Sequence, residues 1–225
     1  MQIGTFEAEE VAVLRKSFAD TDVFVDIGAN IGYYTCLARQ AGNHVVAVEP
    51  VPQNLEFLYA NLRANRWLDI EVFPVALSEQ SGIGLMFGGG TGASLIAGWA
   101  GASEVWQTPV PLTTLDVLLG DRFKDQRLLI KMDVEGAELG VLRGAEMTLT
   151  RKLSPIWFIE VCLTENQPTG VNSSFAAVFE LFWKFGYTAR TGDRDARLVT
   201  PENVKQWVNE KRREFGSANY LFSRA

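Results

Sequence analysis

A strand, a glycine turn, a helix and a second strand succeed one another within residues 22–50, and this unit restricts what the chain can fold into. The β-branched and aromatic run at 23–27 is typical of a strand buried on both faces. Gly28 ends that run, and apolar residues then recur at helical spacing over 31–38. The second strand ends at Glu49. The pattern predicts an α/β fold in which helices alternate with the strands of a mostly parallel sheet.

The glycine turn suggests which ligand binds there, because Asp26, Gly28, Asn30 and Gly32 have the spacing D-x-G-x-N-x-G. Glycine lets the backbone approach a ligand closely, and a helix N-terminus offers unpaired N–H groups. Glu49 follows about 20 residues later, where a carboxylate can accept both hydroxyls of a ribose. A dinucleotide fold requires glycine where this chain has Asn30, since a diphosphate packs against that position. An acid at Asp26 suits a cationic tail, so the turn favours S-adenosylmethionine over a dinucleotide.

The bulk properties of the chain exclude several classes of partner. Its 225 residues are 47% hydrophobic, enough to bury one core, and we expect a single domain over 1–225. A net charge of −6 argues against a nucleic-acid surface, which would be basic. No apolar run approaches membrane-spanning length, and the two cysteines lack metal-binding spacing. We therefore expect a cytoplasmic protein whose partner is a small molecule, with neither nucleic acid nor membrane.

Later strands are expected to end beside the same turn. A third strand at 70–75 is followed by Ala76 and Leu77, which would form a wall for adenine; Pro50, directly after the ribose acid, is assigned to the cofactor with them. A fourth strand, 127–132, ends immediately before Asp133. In an open parallel sheet whose order reverses between the first and fourth strands, ligands bind outside the carboxyl ends of those two strands. Asp133 should therefore face the reacting end of the cofactor.

A fifth strand at 155–161 contains Glu160 within an otherwise apolar run. Burying a lone carboxylate is costly, so Glu160 is either a site residue or one half of a structural ion pair. Both interpretations stay open from the sequence.

Residues 82–111 interrupt the alternation and are expected to form a hairpin insertion. Its strands, 83–87 and 104–110, are joined by a glycine-rich loop whose length is typical of a mobile or functional segment. Ser94, Trp99 and Trp106 make this insertion the candidate acceptor-binding lid, since aromatic faces suit a sugar or another hydroxylated ring. Simple packing is the alternative role for Trp106.

The two ends of the chain complete the expected sheet. Within an N-terminal part, 1–20, an amphipathic helix over 7–18 would cover one edge of the fold or close over the cofactor. Near the other end, a strand at 187–190 is expected to pair antiparallel with a closing strand at 219–223. The result is seven strands with helices on both faces.

Several segments resemble the FkbM-type methyltransferases. They are VDIGANIGYYT, AVEPVPQN, the ALS after the third strand, TTLD, and IKMDVEGAE followed by VLRGA, in the same order over residues 23–162. The resemblance implies a Rossmann-like class I fold and an O-methyltransferase that moves a methyl group from S-adenosylmethionine to a hydroxyl of a carbohydrate or secondary metabolite. By position it assigns the methionine half of the cofactor to the glycine turn, the ribose to Glu49 and the site of transfer to Asp133.

Methyl transfer to a neutral hydroxyl needs a group that removes the hydroxyl proton. The one histidine, His44, stands at the start of the second strand, opposite the carboxyl-end crevice, so the base is expected among the carboxylates. Asp133 is preferred, with Glu135 and Glu160 as helpers and Lys131 as a lesser candidate. The same three carboxylates offer oxygen ligands to Mg²⁺, an alternative that we do not favour.

Two other functions stay open from the sequence. A nicotinamide-dependent oxidoreductase would use the same ribose carboxylate, although the chain lacks the diphosphate glycine. A catalytically inactive cofactor-binding module would keep the fold and the pocket without turnover, since a fold does not guarantee catalysis.

Overall fold

The computed structural model of the protein describes residues 7–224, which form an eight-stranded sheet and a smaller three-stranded sheet. The strands are β1 (Val23–Ile27), β2 (His44–Val48), β3 (Glu71–Phe73), β4 (Ala76–Leu77), β5 (Gly82–Phe87), β6 (Gln107–Thr113), β7 (Leu128–Met132), β8 (Ile156–Glu160), β9 (Thr188–Thr191), β10 (Leu198–Val199) and β11 (Asn219–Ser223). The α-helices are α1 (Ala8–Phe18), α2 (Tyr33–Gln40), α3 (Pro52–Ala64), α4 (Leu115–Leu119), α5 (Glu138–Arg143), α6 (Glu146–Leu149), α7 (Phe175–Lys184) and α8 (Pro201–Glu210).

The order of the large sheet is β10-β9-β11-β8-β7-β1-β2-β3, and the five strands from β8 to β3 in this order are parallel. The chain runs outward from β1 to β3 and then returns to place β7 on the other side of β1. This reversal confirms the expected switch point, where ligands bind in doubly wound folds. The antiparallel pairing of β9 with β11 is also confirmed. The sheet has eight strands instead of seven because the two-residue β10 adds an edge.

Burial on both faces explains the apolar central strands. Every residue of β1 and β7 is buried. Phe24 of β1 belongs to a cluster with Leu14 and Phe18 of α1, whereas its neighbour Val25 belongs to the larger cluster on the other face. Alternate side chains of a strand point to opposite faces, so one short strand contributes to two cores. This packing fixes the carboxyl ends of β1 and β7 next to each other.

Several helices and strands begin or end at residues other than those expected from the sequence. The third strand stops at Phe73, and the chain after Pro74 leaves the large sheet to pair as β4 with β6. The expected helix at 137–150 is divided into α5 and α6 near Gly144, whose backbone packs against Ser78: a Cβ on Gly144 would lie 2.2 Å from the Ser78 carbonyl oxygen. The second strand of the insertion begins at Gln107 and continues to Thr113, three residues beyond its expected range.

The insertion forms the small sheet. β5 pairs antiparallel with β6, from Gly82 opposite Leu112 to Phe87 opposite Gln107, as expected for a hairpin. Within residues 7–224, no helix has the length and apolar character needed to cross a membrane.

Candidate active site

The tips of β1 and β7 are in direct backbone contact. The Asp133 N–H donates a hydrogen bond to the Ile27 carbonyl oxygen at 3.0 Å. Gly28 has a φ of 79°, and a Cβ on it would lie 1.8 Å from the Asp133 carbonyl oxygen. Any other residue at position 28 would force the two strands apart. Because Gly28 and Asp133 are in contact, the glycine turn and the acid after β7 belong to one site.

A cavity of about 570 Å³ opens at this contact. Seven of the residues that the sequence assigned to a cofactor line it: Gly28, Asn30, Glu49, Pro50, Ala76, Leu77 and Asp133. Met86 of the insertion lines the same cavity and was not anticipated.

Glu49 is 3% exposed and forms the polar edge of this cavity. Its Oε2 accepts a hydrogen bond from the Asn30 N–H at 2.8 Å, and its Oε1 accepts one from the Val51 N–H at 2.8 Å and one from Asn54 Nδ2 at 3.2 Å. Burial raises the pKa of the Glu49 carboxyl, while these donors act to lower it. The carboxylate is thus held in one orientation. Asn54 was missed from the sequence, although it lies only five residues after the acid.

Asp26 and Gly32 shape the turn without lining either of the two cavities described here. Asp26 is 1% exposed, its Oδ2 accepts a hydrogen bond from Thr35 Oγ1 at 2.6 Å, and its Oδ1 has no partner among the described residues. Gly32 has a φ of 88°, and a Cβ there would meet Leu58 at 2.3 Å. Contact of these two residues with a cofactor stays a prediction.

A second, more open cavity of about 1560 Å³ adjoins the first at Asp133. We call it the acceptor cleft; it shares Gly28, Asn30, Thr91, Asp133 and Glu135 with the first cavity. Its remaining charged or aromatic lining residues are Glu7, Tyr33, Tyr34, Lys131 and Glu160. The two cavities therefore meet where the sequence placed the reacting end of a cofactor.

The three candidate catalytic carboxylates have different partners. Lys131 Nζ lies 3.2 Å from Asp133 Oδ2 in an ion pair. The Glu135 side chain accepts a hydrogen bond from Trp99 Nε1 at 2.6 Å. Among residues 7–224, the one hydrogen-bond donor to the Glu160 side chain is the weak thiol of Cys162, with Sγ 3.6 Å from Oε1. Burial, reinforced by the nearby Asp133 carboxylate, raises the pKa of Glu160 to about 7.

The insertion is attached to the segment that follows β7. Ser94 Oγ donates a hydrogen bond to the Glu135 carbonyl oxygen, and the Trp99 ring packs over Gly136. Ser94 and Trp99 are each 1% exposed, so in this structure their side chains face the segment after β7 and not solvent. Trp106 is 75% exposed on the outside of the insertion. A role in acceptor binding stays a prediction for all three side chains.

Comparison with known proteins agrees with this geometry. A family model described as the methyltransferase FkbM domain matches residues 26–189, most of the chain. The chain belongs to the FkbM methyltransferase family. No curated protein matches it.

Among solved structures, the FkbM fold is shared with a methyltransferase FkbM from Methylobacillus flagellatus KT at 19% identity and a TM-score of 0.53; the match covers 91% of this chain but 44% of that one. The chain therefore spans less than half the length of that relative. Also similar are a precorrin-6y C5,15-methyltransferase from Geobacter metallireducens GS-15 (15% identity, 84% and 76% of the chains, TM-score 0.46) and a ribosomal protein L11 methylase from Lactobacillus delbrueckii subsp. bulgaricus (10% identity, 96% and 76%, TM-score 0.48).

Two further features of this FkbM chain concern possible metal ligands and the histidine. Over residues 7–224, no three or more His, Cys, Asp or Glu side chains are grouped so that they could hold a metal ion. His44 lies at the far end of β2, where Nε2 is 2.9 Å from Glu71 Oε1. Within the described part of the chain, the charged side chains that line the acceptor cleft are four carboxylates and the Lys131 ammonium.

We predict that Gly136→Ala will loosen the insertion. Gly136 has a φ of 96°, and its new Cβ would lie 2.5 Å from the Trp99 ring, so the ring must move or the backbone must change. Backbone strain of this kind costs about 1–3 kcal/mol. Urea denaturation should show that loss of unfolding free energy. Gly140→Ala is the control, since a Cβ there meets nothing within 4 Å; equal stability of the two variants would contradict the packing.

We also predict that Glu138 makes the stability of the protein pH-dependent. It is 4% exposed, and burial raises its pKa to about 8 although the Gly136 N–H donates to its Oε1. Because the folded pKa is above the unfolded one, its stabilising contribution is present below about pH 4.3 and is lost as the pH rises through 8. Glu138→Gln should therefore gain stability relative to the natural sequence as the pH rises from 5 to about 8, by on the order of 1 kcal/mol per pH unit, and the gain should level off above that.

The measurement is the difference in unfolding free energy between Glu138→Gln and the natural sequence at pH 5, 7 and 9. Glu146→Gln is the control, because Glu146 is exposed on α6. A difference that stays constant across this range would show that the Glu138 carboxyl does not titrate there.

Proposed function

We propose that the protein is an S-adenosylmethionine-dependent O-methyltransferase. The observation that carries the proposal is the buried Glu49 carboxylate at the edge of the first cavity. In the structure Oε2 accepts one hydrogen bond, from Asn30, and keeps a lone pair for a ribose hydroxyl. Val51, Ala76 and Leu77 offer an apolar wall next to it that suits adenine. The residues present therefore fit an adenosyl group.

The methionine end of the cofactor would extend from this pocket toward Asp133, where the first cavity meets the acceptor cleft. S-adenosylmethionine, when bound, supplies an electrophilic methyl group and leaves as a neutral thioether. The backbone at Gly28 allows close approach on one side, and the Asp133 carboxylate favours a cationic sulfonium on the other. This arrangement would orient the methyl group toward the cleft, and alignment of two reactants contributes up to about 7–11 kcal/mol in favourable cases.

Within the cleft we assign the role of base to Glu160. Asp133, the preferred base from the sequence, is paired with Lys131, and the Glu135 carboxylate is occupied by Trp99. A general base works best when its pKa is near the working pH, and that of Glu160 is raised to about 7. As the acceptor oxygen bonds to the methyl carbon, its proton passes to Glu160.

The acceptor we propose is a small hydroxylated molecule, either a carbohydrate or a secondary metabolite. Tyr33 and Tyr34 give the cleft aromatic surface, and its carboxylates can accept hydrogen bonds from hydroxyl groups. The net charge of −6 argues against a nucleic-acid acceptor. The free thiols of Cys36 and Cys162 suit a reducing, cytoplasmic setting.

Calorimetric titration with S-adenosylhomocysteine and with NAD tests the cofactor. We expect the adenosyl compound to bind and NAD to give no heat; the reverse result would favour an oxidoreductase and end the proposal. Incubation with labelled S-adenosylmethionine and a panel of glycosides and polyketide alcohols then tests the reaction. Binding without transfer to any member of the panel would instead support an inactive cofactor-binding module.

A further inference from the structure

Lys131 stands beneath the acceptor cleft, and its side chain is 6% exposed. Lysine is almost never buried to this extent unless it is paired. Its Nζ lies 3.2 Å from Asp133 Oδ2 and 4.7 Å from the centre of the Tyr34 ring. In the sheet it is opposite Asp26 of β1. Strand pairing, an ion pair and an aromatic face thus fix the ammonium in one place.

The charge state of Lys131 follows from its neighbours. Burial by itself lowers the pKa of the ammonium, but the carboxylates of Asp133, Asp26 and Glu7 together raise it above its ordinary value. A lysine in that state is a permanent cation at neutral pH and does not remove a proton from an acceptor. Lys131, the lesser candidate from the sequence, therefore does not serve as the base. The buried position of this lysine needs another explanation.

We propose that Lys131 is a positioning residue for methyl transfer: its buried ammonium fixes the Asp133 carboxylate at the junction of the two cavities and balances the negative charge around Glu160. The inference rests on the proposed function. Without this cation, the cleft would hold several carboxylates and no counter-charge among its lining residues in 7–224. Asp133 would lose the contact that orients it, and Glu160 would bind its proton more tightly.

Several charged or titratable groups surround the Lys131–Asp133 ion pair and affect the protonation of its neighbours. Those around Lys131 are Glu7, Asp26, Tyr34, Asp133, Glu135 and Glu160, and those around Glu160 are Lys131, Asp133, Glu135, Glu138 and Cys162. Lys131 is the centre of the first set and the cation of the second. Removing Lys131 should raise the proton affinity of the carboxyl groups around it.

The first test is the pH dependence of the methyl-transfer rate of Lys131→Met. We expect the acidic limb of kcat to move upward by about one pH unit, as follows from loss of a nearby opposite charge. Below that limb the rate should fall about tenfold further, and the deficit should shrink toward pH 9, where only the lost orientation of Asp133 remains. Lys131→Arg keeps the charge, so its acidic limb should lie close to that of the natural sequence. A Lys131→Met rate that is lowered equally at every pH would show a purely structural role and overturn the proposal.

The second test needs neither cofactor nor acceptor. Carbon-13 NMR of labelled glutamate carboxyls in the ligand-free protein should identify Glu160 as the resonance that Glu160→Gln lacks. Its titration midpoint should lie near 7 in the natural sequence and higher in Lys131→Met. Lys205→Met, which removes an exposed lysine on α8, is the matched control and should leave the midpoint unchanged. An unchanged midpoint in Lys131→Met would also overturn the proposal.

Two further variants keep the tests informative if Lys131→Met folds poorly. Lys131→Met combined with Asp133→Asn removes both charges of the pair, so it should fold better than the single variant. At pH 9, where Glu160 is ionised in both variants, the double variant should have nearly the same kcat as Asp133→Asn alone if Lys131 orients Asp133, whereas independent losses at that pH would contradict the inference. Failure of the natural sequence to bind S-adenosylhomocysteine would instead defeat the proposed function, so the two failures are distinguishable.

Discussion

Glu160→Gln is expected to lower kcat for methyl transfer by about 10²- to 10⁴-fold, the usual contribution of a general base. Glutamine has nearly the same shape and accepts hydrogen bonds, but it cannot take a proton from the acceptor hydroxyl. Glu160 lines the acceptor cleft and does not line the first cavity, so the affinity for S-adenosylhomocysteine should be unchanged. Single-turnover transfer of a labelled methyl group, with calorimetry for binding, measures the two quantities separately.

The pH profile sharpens this expectation. Only the ionised carboxylate can act as base, so the rate of the natural sequence should rise with pH through about 7, the raised pKa of Glu160. The residual rate of Glu160→Gln should lack that limb. Glu180→Gln, at an exposed position on α7, is the control. If Glu160→Gln keeps full turnover while Asp133→Asn loses it, the base is Asp133, as the sequence first indicated.

The position of the site could be predicted from the sequence because it depends on local patterns. The apolar run of β1, the turn at Gly28 and the acid at Glu49 lie within one continuous segment, and the reversal of strand order then places Asp133 beside them. None of these steps requires knowledge of side-chain packing. The alternation of strands and helices followed from periodicity and glycine placement, whereas the class I fold was implied by the family resemblance.

The roles of individual side chains were harder to predict because they depend on contacts between distant segments. Trp99 donates a hydrogen bond to Glu135, 36 residues away. This contact turns Trp99, a candidate for binding the methyl acceptor, away from solvent, and it engages Glu135, a candidate helper base. Tyr34 donates a hydrogen bond to Glu7, 27 residues before it, and so brings the N-terminal segment to the cleft. Hydropathy and spacing carry no signal for such pairs. An acid in a strand was recognised as unusual, but its partner could not be named.

Glu49→Gln is expected to weaken the binding of S-adenosylhomocysteine by about 10- to 150-fold, which corresponds to the roughly 1.5–3 kcal/mol of a hydrogen bond to a charged group. The substitution has two effects at once. The amide loses the charge that would strengthen bonds to ribose hydroxyls. It also has one accepting oxygen where the carboxylate has two, so it cannot accept hydrogen bonds from both sides of the turn. With Oε1 facing Val51 and Asn54, the NH₂ would oppose the Asn30 N–H, which now donates to Glu49 at 2.8 Å.

Calorimetric titration of the ligand-free variant measures this loss directly, and Glu56→Gln on the exposed side of α3 is the control. Thermal denaturation without ligand separates the two effects, because a disturbed turn lowers stability even when no cofactor is present. A variant that keeps its stability and loses affinity would support direct contact between Glu49 and the ribose. Equal affinity in the Glu49 and Glu56 variants would remove Glu49 from the cofactor site, and with it the observation that supports an adenosyl ligand.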